Sequence, residues 1–432
     1  MKLKIGIIGV GTVGAGAVEL IRQHREFFSS QLGFDIDITG ACAKTMEELE
    51  AVPLPANCKK ILHPQELCTN PDVDIVLELA GGYEEPRSWI TTALNNKKHV
   101  ITANKALLAK YGSELFPLAA QNNCFLMFEA AVGGGIPIIK TLQESLIAND
   151  ILGLACIING TCNYILSKMS SDHQDFGTVL EKAQELGYAE ADPSFDVEGT
   201  DSAHKIALLA SLCFGKYVDF EEMRIEGITS ISKLDVEMAR EMGFVIKLLG
   251  IVSNLEGKGV SANVYPALLK PDHQLASVNG VLNAVYLKSS AAGQNLLTGP
   301  GAGRFPTASS VIADLISIGR YLQSGAEKPY ATDFINPGNK MKLVSIDELE
   351  TEFYLRITTR DEPGVLAQIT SILAKFNISI DSILQKPAGD IKSVPIIILT
   401  HRIKNKLISE ALAELDKLDV VTCPTQVLRF YS

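Results

Sequence analysis

The chain has 432 residues, 47% of them hydrophobic and 21% charged, and its formal net charge is -11 at pH 7. This balance excludes an intrinsically disordered protein, and at roughly 150 residues per domain the length predicts about three domains. Lys and Arg are scattered along the chain rather than clustered. We therefore expect no nucleic-acid partner.

The sequence predicts neither a secretory leader nor a membrane segment. No apolar run reaches the ~18 residues that a membrane-spanning helix requires, and the N-terminus lacks the apolar core of a signal peptide. The eight cysteines include no C-x-x-C pair, so we expect free thiols rather than disulfides or a zinc site. Together these features predict a soluble, cytoplasmic protein without a membrane partner.

Residues 1–130 alternate short apolar runs with amphipathic helical patterns. This alternation is typical of a parallel sheet with crossover helices. We therefore predict an α/β fold that begins with a Rossmann-type dinucleotide-binding domain over 1–130. Its predicted strands lie at 5–8, 36–41, 75–79, 99–102 and 125–128.

A glycine-rich turn follows the first predicted strand and opens a helix. Gly9, Gly11 and Gly14 have the G-x-G-x-x-G spacing, and Thr12 and Val13 begin the helix. The first glycine permits the tight turn, the second lets the backbone approach a pyrophosphate, and the third allows close helix–strand packing. We predict that these residues bind NADP or NAD; a purely structural glycine turn is the alternative.

The tip of the second predicted strand bears on the choice between NADP and NAD. NAD-selective sites usually place an acidic residue there to bind the ribose 2′-hydroxyl. The chain instead has Ala41, Cys42, Ala43 and Lys44 at this tip, and Lys44 is available for a 2′-phosphate. This favours NADP, and a solvated loop lysine without a cofactor contact is the alternative.

The pattern changes after residue 130 and indicates an α+β catalytic and dimerisation domain over 131–304. Its apolar segments predict helices at 136–147 and 202–213 and strands at 260–264 and 281–287. A helix at about 305–323 is predicted to complete the first domain. The polar stretch 324–350 is typical of a linker.

Residues 351–432 predict a split βαβ, ferredoxin-like domain. The expected order is strand, helix, strand, strand, helix, strand, at 352–359, 364–376, 378–384, 393–400, 405–415 and 420–428.

Two segments carry the candidate chemistry. Residues 102–105 lie at the C-terminal end of a predicted parallel strand, where ligands of open α/β sheets bind. In the second segment, 183–205, Asp201 and Lys205 are four residues apart on a predicted helix and share one face. An Asp/Lys pair at this spacing is often only a surface ion pair. The other residues of the segment favour a site.

Segment 183–205 resembles the signature of the homoserine dehydrogenases, through Gly187, Glu190, Asp192-Pro193, Asp196, Gly199, Asp201 and Lys205. Residues 102–105, 129–137 and 299–307 also resemble motifs of that family, so the similarity covers residues 1–323. It implies reversible, NAD(P)-dependent interconversion of L-homoserine and L-aspartate 4-semialdehyde in threonine, methionine and isoleucine biosynthesis. Because the dinucleotide-binding strand begins at residue 3, we expect no preceding aspartate kinase unit.

The resemblance also implies roles for individual residues. Lys205 and Lys105 would serve proton transfer at the carbinol oxygen, with Lys205 as the preferred acid/base. Glu190, Asp201 and Gly187 would bind the substrate.

Cofactor and cation contacts follow from the same resemblance. Thr102, Lys105 and Gly303 would contact the cofactor, and residues 159–161 would border both cofactor and substrate. A monovalent cation, Na⁺ or K⁺, would be coordinated by the backbone carbonyls of Glu129, Val132, Gly134 and Ile136.

Oxidation of an alcohol requires a hydride acceptor and a base on the oxygen. A neighbouring cation such as Lys105 would lower the pKa of Lys205, whereas an ion pair with Asp201 would raise that pKa. We therefore predict that Asp201 points at the substrate and does not neutralise Lys205. A tight pair of the two with substrate bound would contradict this. No cysteine lies beside a base in the predicted cleft, so a covalent thiolate route is unsupported.

The C-terminal domain resembles an ACT domain in residues 355–366 and 377–380. Asp361 can cap a helix, Pro363 suits its first turn and Gly364 permits close approach of a ligand. The resemblance implies a homodimer or homotetramer and an amino-acid effector, threonine first and isoleucine or methionine after. An ACT domain that only mediates oligomerisation is the alternative.

Two other functions were weighed. A non-catalytic amino-acid and dinucleotide sensor could keep the fold, but the intact Lys105, Glu190, Asp201 and Lys205 argue against it. A dehydrogenase for another amino or hydroxy acid fits poorly with segment 183–205.

Overall fold

The computed structural model describes residues 1–255, 257–325, 339–385 and 393–431. The chain forms two compact units. The first comprises Met1–Gly160, Asp201–Met223 and Val281–Lys342, and the second comprises Thr161–Thr200, Arg224–Gly280 and Leu343–Ser432. Across the described ranges, every helix is too short or too polar to cross a bilayer.

The strands, in chain order, are β1 (Lys2–Ile8), β2 (Asp35–Cys42), β3 (Lys59–Ile61), β4 (Ile75–Glu78), β5 (His99–Thr102), β6 (Leu126–Met127), β7 (Ile151–Ile157), β8 (Arg224–Ile225), β9 (Val245–Leu255), β10 (Gly259–Leu269), β11 (Leu282–Ser289), β12 (Gly293–Pro300), β13 (Glu350–Thr351), β14 (Phe353–Arg360), β15 (Ile380–Gln385), β16 (Ser393–Thr400), β17 (Ile403–Lys404) and β18 (Gln426–Tyr431).

The α-helices are α1 (Thr12–Gln23), α2 (Arg25–Phe27), α3 (Met46–Glu50), α4 (Pro64–Thr69), α5 (Glu84–Asn95), α6 (Lys105–Gln121), α7 (Ile138–Lys140), α8 (Gly160–Asp172), α9 (Phe176–Glu185), α10 (Ser194–Val197), α11 (Thr200–Phe214), α12 (Lys233–Glu241), α13 (Arg304–Ser324), α14 (Val365–Lys375) and α15 (Asn405–Leu415). Two π-helical stretches, Phe28–Leu32 and Thr141–Ser145, and 3₁₀ turns at Glu129–Ala131, Phe220–Glu222, Gln274–Ser277 and Ile346–Glu348 join them.

The first unit contains a six-stranded parallel sheet in the order β3-β2-β1-β4-β5-β6. This is the strand order of dinucleotide-binding folds, and it confirms the predicted α/β class. Sequence analysis missed β3. This edge strand has three residues, and Lys59 and Lys60 are exposed, so no apolar run marks it.

Helices α1 and α13 pack on the parallel sheet of the first unit. Ile5 and Ile7 of β1 belong to the same buried apolar cluster as Val311 and Leu315 of α13. Gly16 of α1 allows the close approach of the two helices, because a Cβ there would lie 2.8 Å from the Arg304 carbonyl oxygen.

The prediction of one continuous α-helix at 136–147 is wrong. Residues 138–145 consist of one α-helical turn followed by a π-helical stretch. The backbone N–H groups of Ile139 and Lys140 donate to the Glu129 carboxylate at 2.8 and 2.9 Å, so a distant carboxylate caps the short first turn. The first unit also holds the antiparallel strands β12-β11-β7.

The second unit confirms the ferredoxin-like ACT fold. Its antiparallel strands run in the order β18-β14-β16-β15, with α14 and α15 between them in the chain. The last strand begins at Gln426 rather than at the predicted 420, because the Thr425 N–H and hydroxyl both donate to Asp416 and form a turn. Pro424 also interrupts any strand there.

The ACT sheet does not end at β18. Residues 429–431 pair in parallel with residues 267–269 of β10, which itself pairs with β9 along its whole length. Part of the predicted linker, 326–338, lies outside the described residues. Its later part contains the 3₁₀ turn Ile346–Glu348. The domain boundaries at 130, 304 and 350 stay predictions.

Candidate functional site

The glycine turn after β1 has the geometry of an anion-binding helix start. Gly9 has a φ of 93°, and a Cβ there would lie 2.8 Å from the Ala80 nitrogen. A Cβ on Gly14 would overlap the Gly9 carbonyl, whereas a Cβ on Gly11 would have no heavy atom within 4 Å. The open side at Gly11 is where backbone could approach a pyrophosphate, and α1 begins at the exposed Thr12.

The tip of β2 carries one feature that the sequence did not suggest. Lys44 is exposed, as a 2′-phosphate ligand must be, and its backbone N–H donates to the Glu48 carboxylate at 3.2 Å. Glu48 lies in α3, which Thr45 caps through its hydroxyl. The first turn of α3 therefore places the Glu48 carboxylate close to the tip of β2, where residues 41–44 include no acidic residue.

The ends of β4 and β5 meet around Glu78, a residue that sequence analysis missed. Glu78 is fully buried and accepts hydrogen bonds from the Thr102 hydroxyl at 2.6 Å and from the Ala80 and Gly81 N–H groups at 3.0 and 3.2 Å. Burial raises the pKa of Glu78, although the Thr102 hydrogen bond opposes this. A single glutamate at the end of a four-residue apolar strand leaves no periodic signal in the sequence.

Asn104 links this edge of the sheet to Lys105. Its N–H donates to the Thr102 hydroxyl at 3.0 Å, and its side-chain oxygen accepts from the Leu107 N–H at 3.1 Å. Asn104 is therefore the N-cap of α6, and Lys105 occupies the first turn of that helix.

Lys105, Lys205 and Asp201 come together in the first unit. Asp201 Oδ1 is 3.1 Å from Lys105 Nζ, and Asp201 Oδ2 is 2.6 Å from Lys205 Nζ and 2.9 Å from Asn159 Nδ2. Lys205 Nζ also donates to the Ile158 carbonyl at 2.7 Å. The side chain of Lys105 is 31% exposed, against 10% for Lys205 and 6% for Asp201. Lys105 is thus the more open of the two lysines.

The electrostatics of this cluster follow from burial and from the two cations. Burial alone would raise the pKa of the Asp201 carboxyl, but Lys205 and Lys105 outweigh burial and hold that pKa well below its usual range. Without substrate, Asp201 pairs with Lys205 at 2.6 Å, whereas the prediction that Asp201 points at the substrate concerns the substrate-bound state. The physical reason is that a buried carboxylate pairs with the nearest ammonium, here one helical turn away. The arrangement with substrate bound stays a prediction.

The predicted substrate residues Glu190 and Gly187 lie in the second unit, in the segment between α9 and α10. Glu190 is exposed, and its backbone carbonyl accepts from Gln184 Nε2 at 2.9 Å. Gly187 has a φ of 73° with open space around its Cβ position. Asp192 caps the Ser194 N–H at 3.1 Å, as expected for a loop carboxylate.

The predicted cation turn is buried and tightly folded in the first unit. The Gly134 carbonyl accepts from the Ser310 hydroxyl at 2.6 Å, the Glu129 carbonyl from the Val132 N–H at 3.4 Å, and the Ile136 carbonyl from the Ile138 N–H at 2.8 Å. Neutral backbone oxygens suit a hard cation, and each carbonyl has a second lone pair.

Three family models match the chain. "Homoserine dehydrogenase, NAD binding domain" matches residues 9–129, "Homoserine dehydrogenase" matches 137–316, and "ACT domain" matches 353–420. A homoserine dehydrogenase of Neisseria gonorrhoeae is 42% identical over 432 residues, which is 100% of this chain and 99% of that protein. The chain belongs to the homoserine dehydrogenase family.

Solved structures of the family agree with this assignment. The crystal structure of a homoserine dehydrogenase from Thiobacillus denitrificans matches with a TM-score of 0.93 and 40% identity, over 100% of this chain and 99% of that one. A hyperthermophilic archaeal homoserine dehydrogenase in complex with NADPH matches with a TM-score of 0.65 and 28% identity, over 77% of this chain and 100% of that one.

As a member of this family, the protein is an NAD(P)-dependent oxidoreductase that interconverts L-homoserine and L-aspartate 4-semialdehyde. The ACT domain indicates regulation. The comparisons do not favour the alternative of a non-catalytic sensor.

Proposed function

We propose that the Lys105–Asp201–Lys205 cluster is the reaction centre. The supporting observation is that the nearly buried Lys205 and the partly exposed Lys105 both pair with the buried Asp201 carboxylate, at 2.6 and 3.1 Å. Because two lysines share one carboxylate, the cluster has a net positive charge. Such a charge suits a site that must take a proton from an alcohol and stabilise the developing alkoxide.

In the oxidative direction, Lys205 as the free amine takes the hydroxyl proton of homoserine and becomes an ammonium. The bound nicotinamide supplies the hydride acceptor, and the carbinol carbon becomes the aldehyde carbon. In the reverse direction the ammonium returns its proton to the oxygen. Lys105, which is more exposed, would bind the same oxygen or replace Lys205 in this role.

Asp201 and Glu190 are proposed to bind the substrate, together with the turn at Gly187. Asp201 already accepts from Lys105, Lys205 and Asn159, which leaves about one acceptor site on its two oxygens for the substrate ammonium. Glu190 is exposed, so its carboxylate is open to an ammonium.

NADP is the proposed cofactor, with NAD as the alternative. Gly9, Gly11, Thr12, Val13 and Gly14 would hold the pyrophosphate. Lys44 would bind the 2′-phosphate, with Thr102 and Gly303 near the nicotinamide end. The nearby Glu48 carboxylate argues for NAD, because it could accept from a ribose 2′-hydroxyl.

We also propose a monovalent cation, Na⁺ or K⁺, at the carbonyls of Glu129, Val132, Gly134 and Ile136. For regulation, threonine is the first effector to test and isoleucine or methionine the next. The proposed assembly is a homodimer or homotetramer, and the proposed setting is threonine, methionine and isoleucine biosynthesis in the cytoplasm.

The test measures NADPH and NADH formation from L-homoserine at alkaline pH, with the wild type, Lys205→Ala, Lys105→Ala and the control Lys216→Ala. We expect Lys205→Ala to lose at least roughly a hundredfold in kcat while it still binds cofactor, because it lacks the base. Lys216 is an exposed lysine just after α11, so Lys216→Ala should behave like the wild type.

A fully active Lys205→Ala variant would refute the role of Lys205 and make Lys105 the candidate. The ratio of the NADPH and NADH rates decides the cofactor preference in the same assay.

A further inference from the structure

We propose that a cavity in the second unit, beside the junction of β10 and β18, binds a small amino-acid zwitterion. This inference rests on the proposed amino-acid regulation and assigns it a site. The cavity has a volume of about 390 Å³. That volume is within the range of small-molecule pockets and exceeds the needs of one amino acid.

The cavity has one wall from the β9–β10 hairpin and another from the ACT domain. Ser253 and Tyr265 belong to the hairpin, and Thr351, Arg402 and Arg429 belong to the ACT side. It lies at the β18 edge of the ACT sheet, whereas β15 forms the other edge. ACT domains that pair side by side bind amino acids at a sheet edge shared by two chains, so this cavity within one chain is a different place.

Tyr265 is the first sign that the cavity receives a ligand. Tyr265 is only 6% exposed and lines the cavity, and its hydroxyl makes no hydrogen bond to a described residue, so it is available to a molecule that enters the cavity. Burial raises the pKa of Tyr265 to about 12, so the hydroxyl keeps its proton and can donate to a carboxylate. Its ring is held by the Arg429 guanidinium, 4.8 Å from the ring centroid.

The charges on the walls match both ends of a zwitterion. Arg402 and Lys258 line the cavity without an ion pair to any described residue, and Arg402 donates only to the Glu350 carbonyl at 2.9 Å. The Glu350 carboxylate also lacks an ion pair within the described ranges, whereas Glu348 is paired with Lys404 at 2.9 Å. The two cations can bind a carboxylate, and Glu350 can bind an ammonium.

The remaining wall suits a short side chain of mixed character. Ile251, Leu255 and Leu349 offer apolar contact, and the Ser253 hydroxyl lies among them as a polar partner. A small amino acid with a methyl and a hydroxyl, such as threonine, would satisfy both kinds of group.

The cavity is connected to the predicted substrate segment through Arg429. This buried guanidinium binds the Glu226 carboxylate at 2.7 and 3.1 Å. The next residue, Gly227, packs so closely that a Cβ on it would overlap the Val197 carbonyl, and the Ile228 N–H donates to the same carbonyl at 2.8 Å. A ligand that moves Arg429 would therefore displace residues 197–200, which lead directly into Asp201.

The experiment measures L-threonine, L-isoleucine and L-methionine binding to the purified full-length chain by isothermal titration calorimetry. The variants are Tyr265→Phe, which removes only the hydroxyl, and Arg402→Gln, which removes a charge at an exposed position. We expect each to weaken L-threonine binding at least tenfold. Arg320→Gln, an exposed arginine on α13, is the matched control and should bind as the wild type does.

Asp361→Asn, in the turn before α14, tests the rival site on the ACT domain. Wild-type affinity in Tyr265→Phe and Arg402→Gln, with a loss in Asp361→Asn, would overturn the cavity but leave amino-acid regulation standing. A wild type that binds none of the three amino acids would overturn both. The homoserine assay of Lys205→Ala is independent of either result.

Discussion

At the scale of single residues, the site depends on one carboxylate shared by two lysines. Asp201 accepts from Lys105 and Lys205, and their charge keeps its pKa well below the usual range despite burial. Asp201 is therefore an anion at every pH at which the enzyme would act. The ion pair at 2.6 Å stabilises the ammonium form of Lys205 and so opposes the removal of the proton that a base must lose.

The first prediction concerns the acid limb of the pH–rate profile. In Asp201→Asn, the lysines keep a hydrogen-bond acceptor but lose the negative charge. We expect the rise of kcat with pH to begin at least roughly one pH unit lower than in the wild type. We also expect kcat/KM to fall, because the lysines lose their alignment.

The matched control is Glu198→Gln, which neutralises an exposed carboxylate three residues away from Asp201. It should leave the profile unchanged. An Asp201→Asn profile whose acid limb coincides with that of the wild type would show that neither lysine is the titrating base.

At the scale of elements, the carboxyl ends of β4 and β5 are joined by Glu78. Its carboxylate binds the Thr102 hydroxyl on β5 and two N–H groups of the turn after β4. Gly81 and Gly82 in that turn have φ values of 74° and 94°. Glu78 therefore fixes the position of this glycine turn relative to β5, the strand that leads to Lys105.

Glu78→Ala should destabilise the protein and weaken cofactor binding. The change leaves the buried Thr102 hydroxyl without its acceptor, at a cost of roughly 1 to 3 kcal/mol before relaxation, and it also removes the acceptor of the part-buried Ala80 and Gly81 N–H groups. We expect a lower thermal unfolding temperature and a Kd for NADPH, measured by fluorescence, that rises at least tenfold.

Glu85→Ala removes an exposed glutamate from the adjacent helix α5 and should change neither quantity. If Glu78→Ala lowered the unfolding temperature and left the NADPH affinity intact, Glu78 would be a structural residue with no effect on the cofactor site.

At the scale of the whole molecule, buried ion pairs join the ACT sheet to the α12 region of the second unit. The Asp235 carboxylate has no exposure and accepts from Arg356 Nε and Nη2 at 2.7 and 3.1 Å and from the Tyr354 hydroxyl at 3.0 Å. Burial raises the pKa of Tyr354, and Asp235 raises it further, so Tyr354 stays a donor. Arg429 and Glu226 form a second such pair.

Asp235→Ala should destabilise the second unit strongly. The change leaves the partly buried Arg356 guanidinium, whose side chain is 15% exposed, without a counter-charge, and breaking a fully buried pair costs about 3 to 5 kcal/mol as an upper bound. Thermal unfolding followed by circular dichroism should show a clear drop in the midpoint. Glu237→Ala on the same helix removes only a weak surface pair with Lys233, at 3.8 Å, and should shift the midpoint little. Equal midpoints for the two variants would contradict the role of Asp235.

The sequence alone indicated those elements whose signals are local. The pattern of apolar residues predicts β1, β5 and α11. The spacing of Gly9, Gly11 and Gly14 is enough to predict the dinucleotide-binding turn. Segment 183–205 indicated the family in the same way, and the comparisons confirmed it. The roles of the individual site residues stay predictions.

Tertiary structure alone decided which groups meet. Glu78 and Thr102 are 24 residues apart in the chain, and Glu226 and Arg429 are 203 residues apart. No local sequence pattern can therefore predict either contact. The short turn at 138–145 depends on a carboxylate from residue 129. Sequence periodicity reports which face of an element is apolar, whereas the partner of a buried charge depends on how the elements pack. The pairing of Asp201 with both Lys105 and Lys205 is therefore a contact that only the tertiary structure decided.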